Sequence, residues 1–373
     1  MSAADLQSIL GRFLNRDQRL SPRQWQVCSH LQACRTAALG GLKLHCDHCD
    51  YGLPQYHACR DRHCPRCQQR ASRRWCEQQQ AAVLPVTYYH LVFTLPHTLN
   101  PWVQLHPQVI YGLLFQCVWA TLKAFAADPK HLGGELGMTA VLHTWGQNLS
   151  QHVHLHCLIP GGALSAHGQW CPARSSYLFP VRALSRVFRG KLVSALRTAT
   201  RQGDLHRVTR PGDVDDTLAT LMQTEWVVYS KACVSHTDTV VAYLARYSHR
   251  IAIGDQRIVD VDDEQVVFRY TDYRDHNKPK VMRLSGVEFI RRFLLHVLPK
   301  GFMRLRHYGF MANRCRAEKL KQIRAVLAQG SAAPATSVDV MSDTSFTGYP
   351  CPRCHQGMVH VVCPLAPMRF EGG

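Results

Sequence analysis

Two Cys-x-x-Cys pairs, Cys46-Asp47-His48-Cys49 and Cys64-Pro65-Arg66-Cys67, constrain this chain more than any other feature. Each pair turns a knuckle that sets two sulfurs on one side, and two knuckles about 15 residues apart complete a tetrahedron around zinc. A segment this small and polar buries too little apolar surface to fold unaided, so bound metal would supply folding free energy. The chain has 16 cysteines, seven of them between Cys28 and Cys67 and three between Cys351 and Cys363. In a reducing compartment such clusters are thiols or metal ligands, not a disulfide framework. The isolated Cys117, Cys157 and Cys233 sit in apolar surroundings and read as small buried hydrophobes.

A second zinc set is available beside the first. His30-x-x-x-Cys34 and Cys59-x-x-x-His63 offer two nitrogens and two sulfurs. Cys28, His45, His48 and His57 compete as donors, and Cys59 with His63 can equally serve only to shape the loop. Near the chain's end, Cys351-Pro352-Arg353-Cys354 with Cys363 and either His355 or His360 offers a further knuckle.

Charge indicates a partner. Lys and Arg number 44 against 26 Asp and Glu, a formal net charge of +18. Such an excess repels itself unless a polyanion is present, and nucleic acid is the usual one. Arg60, Arg62, Arg66, Arg70, Arg73 and Arg74 surround the second knuckle at a density suited to phosphates. A membrane partner is not expected: no strongly basic amphipathic helix and no apolar run of about 18 residues stands out. The polar segment Met1–Leu20 does not read as a signal peptide, so a cytoplasmic protein is expected.

Between about residues 85 and 255 the texture becomes mixed α and β. Tyr88–Leu95, Met138–Trp145 and His152–Ile159 read as strands, with Trp226–Tyr229 a further one. Trp102–Ala127, Val181–Gln202, Thr217–Gln223 and Asp238–His249 read as helices. Short strands follow at Arg257–Val261, Gln265–Tyr270 and Val281–Leu284, then a helix near Val287–Leu298. Four regions result: 1–82, a zinc-binding DNA-contact domain; 83–326, the main domain; 327–348, a linker rich in Ser, Ala and Thr; and 349–373, a cysteine-containing tail.

Within the main domain, Gln151-His152-Val153-His154-Leu155-His156-Cys157 carries the densest chemistry. On a strand the three histidines face one way and Val153, Leu155 and Cys157 the other. Adjacent members of the row stand about 7 Å apart, a gap one ion can bridge. The outer pair is about twice as far apart, so His154 pairs with either His156 or His152. A third ligand must come from a neighbouring strand or loop, with His143 and Gln147 as candidates.

Tyr243-Leu244-Ala245-Arg246-Tyr247 places two phenols on one helical face. Such pairs are more often packing than chemistry, but here Arg246, His249 and Arg250 adjoin them. A phenol is a weak nucleophile at its usual pKa near 10, and becomes effective against a phosphate polarised by a divalent cation. A phosphotyrosine link would conserve the energy of the broken phosphodiester. No GxxxxGK[ST] loop is present, consistent with chemistry that needs no nucleotide cofactor.

Several segments together resemble a known family: CRTAALGG (34–41), CRDRHCPRC (59–67), VTYYHLVFTLPHTL (86–99), LHTWGQNLSQHVHLHCLIPGG (142–162) and YLARYSHRIAI (243–253). They are similar to the rolling-circle transposases of the insertion-sequence-ninety-one family, which belong to the HUH endonucleases. The resemblance runs over about residues 20–310. It implies an α+β HUH fold, with a central antiparallel sheet, flanking helices and a small zinc-binding domain in front. By that likeness His154-Leu155-His156 is the HUH motif, with His152 beside it, and Tyr243 and Tyr247 are the nucleophiles. It further implies Mg²⁺ or Mn²⁺ at the active site, Zn²⁺ in the N-terminal domain, and a bacterial, nucleoid-associated setting. The implied partners are single-stranded DNA at element ends and target DNA. Two rival readings remain at this level: a replication initiator or relaxase of the same chemistry, and a non-catalytic zinc-dependent DNA-binding protein.

Overall fold

The computed structural model describes residues 4–69, 82–173, 177–208, 211–233, 252–273, 275–329 and 348–368. The chain forms two compact units, and neither is a single run of sequence. One comprises Met1–Ala71, Ile253–Val297 and Thr336–Gly373; the other comprises Ser72–Ala252 and Leu298–Ala335. We call them the cysteine unit and the histidine unit. The division departs from the four consecutive regions expected from sequence. Residues 253–297 and the tail join the N-terminal segment, because their strands and helix find their packing partners there.

In the cysteine unit, α1 (Leu6–Phe13) starts at Asp5, whose carboxylate accepts the Ser8 N–H at 2.8 Å while Ser8 reciprocates. This reciprocal cap satisfies amide donors that a helix start leaves unpaired. α2 (Pro22–Ala33) has Ser21 and Gln24 in the same arrangement and Pro22 in the first turn, where no N–H is needed. Strand β1 (Gly41–Cys46) pairs antiparallel with β2 (Gly52–Tyr56). The remaining strands of this sheet, β13 (Tyr349–Pro350) and β14 (Met358–Leu365), come from the tail, giving the order β13-β14-β1-β2. A separate meander, β9 (Ile258–Val261), β10 (Gln265–Asp272) and β11 (Lys278–Ser285), leads into α7 (Gly286–Leu294). Ser285 starts helix α7 by accepting the Glu288 N–H at 3.3 Å, and the next residue is Gly286 because a Cβ there would run into the Phe13 ring of α1.

The histidine unit is built on a five-stranded antiparallel sheet. Its strands are β3 (Tyr88–Thr94), β4 (Gly137–Trp145), β5 (Gln151–Pro160), β8 (Val228–Cys233) and β12 (Leu305–Gly309), in the order β12-β4-β5-β3-β8. A two-stranded ribbon, β6 (Gly162–Leu164) and β7 (Trp170–Pro172), follows β5. Its helices are α3 (Asn100–Leu105), α4 (Pro107–Ala127), α5 (Val181–Arg201), α6 (Pro211–Gln223) and α8 (Arg316–Gln329). The α+β class with a central antiparallel sheet is as expected.

Side-chain alternation divides this sheet into two chemically distinct faces. Leu91, Phe93, Met138, Ala140, Leu142, Val153, Leu155 and Cys157 point to one face, each no more than 1 % exposed. They pack with Leu114, Phe115 and Val118 of α4 and with Phe188 and Leu192 of α5 in one core. The histidines of β5 occupy the other face.

Two local expectations need correction. The single helix expected over Trp102–Ala127 is two, because Pro107 cannot donate an N–H into a continuous ladder and His106 departs from helical angles (φ −133°, ψ 56°). Helix α4 is also long and apolar enough to cross a membrane, although no such run was expected. Ile110, Leu114, Phe115, Val118 and Leu122 are 0 % exposed within the core, which accounts for its apolarity. The expected helix at Asp238–His249 lies outside the described residues, as do Ala71–Ala81 and most of the linker.

The core face holds the histidine face in register. Leu155 is 0 % exposed between His154 and His156. Leu155→Ala is expected to destabilise the histidine unit by about 2–5 kcal/mol, read as a lowered urea midpoint, with zinc content unchanged.

Candidate metal centre and cysteine clusters

Strand β5 carries His152, His154 and His156 on its polar face. Its neighbour β4 runs antiparallel, with His143 directly opposite His154 and Val141 opposite His156. His143 thereby reaches the same face, and the donor nitrogens of His143, His154 and His156 lie within 4.8 Å of one another. The ring centroids of His143 and His156 are 4.4 Å apart, and those of His154 and His156 4.8 Å. Three neutral imidazoles so placed suit a first-row divalent ion at about 2.1 Å per bond.

The third imidazole is therefore His143, one of two candidates left open by the sequence, rather than His152. Geometry gives the reason. Cross-strand neighbours stand about 5 Å apart, whereas the two ends of the histidine row are four strand positions, about 13 Å, apart. His152 lies between His154 and His97, at 4.9 and 5.3 Å between centroids, and its donor atoms do not join the group of three. Gln147 falls in the turn between β4 and β5.

Two hydrogen bonds orient the imidazoles. His154 Nδ1 lies 2.8 Å from the His152 carbonyl, so Nδ1 carries the proton and Nε2 keeps its lone pair. His156 Nδ1 lies 2.8 Å from His90 Nε2 on β3. Burial pulls the His90 pKa down to about 4, which leaves its ring neutral and able to accept a hydrogen bond. With His156 Nδ1–H donating to His90, Nε2 of His156 is the nitrogen that carries the lone pair a metal requires. His90 escaped the sequence reading, although Tyr88-Tyr89-His90-Leu91-Val92 places it on alternate positions of an expected strand.

The cysteines form two tetrads, and both cut across the expected grouping. Cys34, Cys59, Cys64 and Cys67 gather in one; Cys46, Cys49, Cys351 and Cys354 gather in the other. Cys46 and Cys49 thus do not share a site with Cys64 and Cys67. The physical reason is strand pairing: Cys46 ends β1 opposite Val359 of β14, which brings the tail's knuckle to it. The tail correspondingly forms no separate site with Cys363, which lies opposite Lys43, or with His360, which faces Asp47.

In the first tetrad the sulfur separations are 3.6 Å (Cys34–Cys64), 3.7 Å (Cys34–Cys67) and 3.7 Å (Cys59–Cys67). A disulfide would need about 2.05 Å, while a zinc–sulfur bond of about 2.3 Å gives a tetrahedral edge of about 3.8 Å. The set fits zinc. Hydrogen bonding from Cys59 pulls the Cys64 thiol down, while that same bond pushes Cys59 up and burial does so for Cys67, so one thiolate is shared among the crowded sulfurs until a cation takes its place among them.

His30 and His63, expected as ligands with Cys34 and Cys59, turn to Asp61 instead. Their Nδ1 atoms lie 3.1 and 2.7 Å from its carboxylate. Burial alone would raise the Asp61 pKa, but hydrogen bonds from His63 outweigh it and hold the carboxyl well below its ordinary value.

Among the arginines expected to meet DNA, Arg60 is exposed and Arg62 half-buried. Arg66 is committed within the unit, to Asp5 and, at 2.8 Å, to Gln7. Arg70, Arg73, Arg74, Arg246 and Arg250, together with Tyr243 and Tyr247, lie outside the described residues.

The His90 contact generates a test. His90→Phe keeps an aromatic ring but removes the acceptor, and is expected to weaken divalent-metal binding by about 10–100-fold. Calorimetric titration of Mn²⁺ measures it, and His90→Gln should recover part of the loss.

Two family matches cover most of this architecture. The family described as "Transposase zinc-binding domain", of IS91 transposases, matches residues 6–95, and the family described as "Putative transposase" matches residues 137–319. The chain is 43 % identical over 356 residues to a protein of Sinorhizobium fredii named "Putative transposase y4qJ", covering 91 % of this chain and 89 % of that one. It is 26 % identical over 317 residues to the "Transposase for insertion sequence element IS801" of Pseudomonas savastanoi pv. phaseolicola, covering 83 % and 75 %. No solved structure matches. The zinc-binding domain, the sheet with its three imidazoles and these relatives agree: the chain belongs to the IS91 family of rolling-circle transposases.

Proposed function

We propose that this transposase cleaves and rejoins single-stranded DNA at insertion-sequence ends through 5′-phosphotyrosine links formed by Tyr243 and Tyr247. The observation that carries the reading is the convergence of His143, His154 and His156 on the polar face of a sheet, in a chain that also bears Tyr-Leu-Ala-Arg-Tyr. A divalent ion held there would polarise the scissile phosphate. The imidazoles fit Mn²⁺, and they fit Mg²⁺ less well, since magnesium prefers oxygen donors.

The residues of the chain divide the remaining work. A tyrosine oxygen attacks phosphorus, the bond from phosphorus to the 3′ oxygen breaks, and the 3′ oxygen takes up a proton as the phenol loses one. The new phosphotyrosine ester keeps the bond energy, so a later attack by a 3′ hydroxyl rejoins the strand and frees the tyrosine without a nucleotide. A second tyrosine allows two ends to be held at once. Arg246 and Arg250, within three residues of Tyr247 in sequence, supply positive charge for the phosphate.

The half-exposed Tyr229 ring, on edge strand β8, lies beside His90 at 6.3 Å between centroids. It offers a base of the bound strand a stacking surface, and Lys231, opposite His90, offers a phosphate contact. Arg60 and Arg62 provide further phosphate contacts in the zinc-binding domain.

A labelled single-stranded oligonucleotide carrying an element end tests the reading. The purified chain should form a covalent adduct only with divalent metal, and Mn²⁺ should act at lower concentration than Mg²⁺. Tyr243→Phe or Tyr247→Phe should each impair strand transfer, and the double variant should form no adduct. An adduct from the double variant would overturn the assignment.

A further inference from the structure

The second cysteine tetrad has no place in the proposed DNA chemistry, and the matched zinc-binding family, residues 6–95, contains only half of it. Its other half, Cys351 and Cys354, comes from some 300 residues later in the chain. The Cys46 and Cys354 sulfurs are 3.8 Å apart, as are those of Cys49 and Cys351. Both distances match the edge of a tetrahedral four-thiolate zinc site, about 3.8 Å, and exclude a disulfide.

The surrounding backbone is arranged for thiolates. The His48 N–H points at Cys46 Sγ and the Gly357 N–H at Cys354 Sγ, each at 3.4 Å. These bonds offset negative charge on sulfur. The two knuckles also fold alike: the Cys46 N–H reaches the Tyr51 carbonyl at 2.9 Å, and the Cys351 N–H reaches that of Gly357 at 2.8 Å. Close approach of the knuckles is built in. A Cβ on Gly357 would stand 2.5 Å from Asp47 Oδ1 and 2.6 Å from Cys46 Sγ. Asp47 tethers the tail directly, accepting the Met358 N–H at 2.8 Å, while its own N–H donates to the Met358 carbonyl at 3.1 Å.

We propose that Cys46, Cys49, Cys351 and Cys354 hold a structural zinc ion, distinct from that of Cys34, Cys59, Cys64 and Cys67, which clasps the tail onto strand β1. The apolar cluster beneath the clasp is small: Leu44, Cys46, Cys351 and Val359 are its buried members. So little apolar area cannot hold an eight-residue strand, β14, in place unaided. The ion supplies that docking free energy. The tail is then part of the zinc-binding domain and not an appendage.

Zinc counts on the full-length protein test this. Cys46→Ser/Cys49→Ser and Cys351→Ser/Cys354→Ser should each lose one equivalent of zinc relative to the parent, and the quadruple variant should lose the same single equivalent. Losing two in the quadruple variant, or none in either double, would overturn the shared site. Alkylation of the unmutated protein gives a second reading that does not depend on variant folding. Cys46, Cys49, Cys351 and Cys354 should all resist iodoacetamide until chelator is added and then react together. Free reaction of Cys351 and Cys354 before chelation would also overturn it.

Discussion

The rule that successive side chains of a β-strand point to opposite faces governs the histidine unit. Strand β5 obeys it with an apolar row and a histidine row. The apolar row anchors the strand in the core by hydrophobic burial, which has no directional preference of its own. The histidine row inherits its orientation from that burial. Antiparallel pairing with β4 then sets His143 opposite His154, and pairing with β3 sets His90 beside His156. A shift of one residue in β5 would turn the imidazoles into the core and the leucines outward, so core and metal centre are fixed by the same register.

The cysteine unit follows a different logic. It is assembled from three separate stretches of chain, and strand pairing decides which sulfurs meet. Arg66 and Asp5 tie the second knuckle to the start of α1, and Asp255 accepts the Leu6 N–H at 3.1 Å. Residues 253–297 belong to this unit through such contacts and through α7 against α1. Polar links here add to a buried apolar set that includes Ile9, Leu10, Phe268, Phe289 and Ile290, and the thiolate sites would add metal-based ones.

Much of the histidine unit was legible in the sequence because its signals are local. Alternation in Gln151–Cys157 is visible within seven residues, and the long helices announce themselves by periodicity. The third ligand was readable only as a choice between His143 and Gln147, since strand register depends on partners that a linear pattern does not contain. Strand β12 went unseen: Leu305-Arg306-His307-Tyr308-Gly309 is short and basic, and lies at the sheet edge. The cysteine tetrads were the largest misreading. Spacing rules favour ligands close in sequence, and nothing in Cys46-x-x-Cys49 signals that its complement lies at Cys351-x-x-Cys354. The carboxylate of Asp61 likewise draws His30 and His63 from the ligand roles that their spacing suggests.

The proposed chemistry turns on one ion gripped by His143, His154 and His156. Pulsed electron paramagnetic resonance on the Mn²⁺-loaded protein counts coordinated imidazole nitrogens. Three are expected in the parent, two in His143→Asn and three in His152→Asn. A count that falls in His152→Asn and stays unchanged in His143→Asn would contradict it.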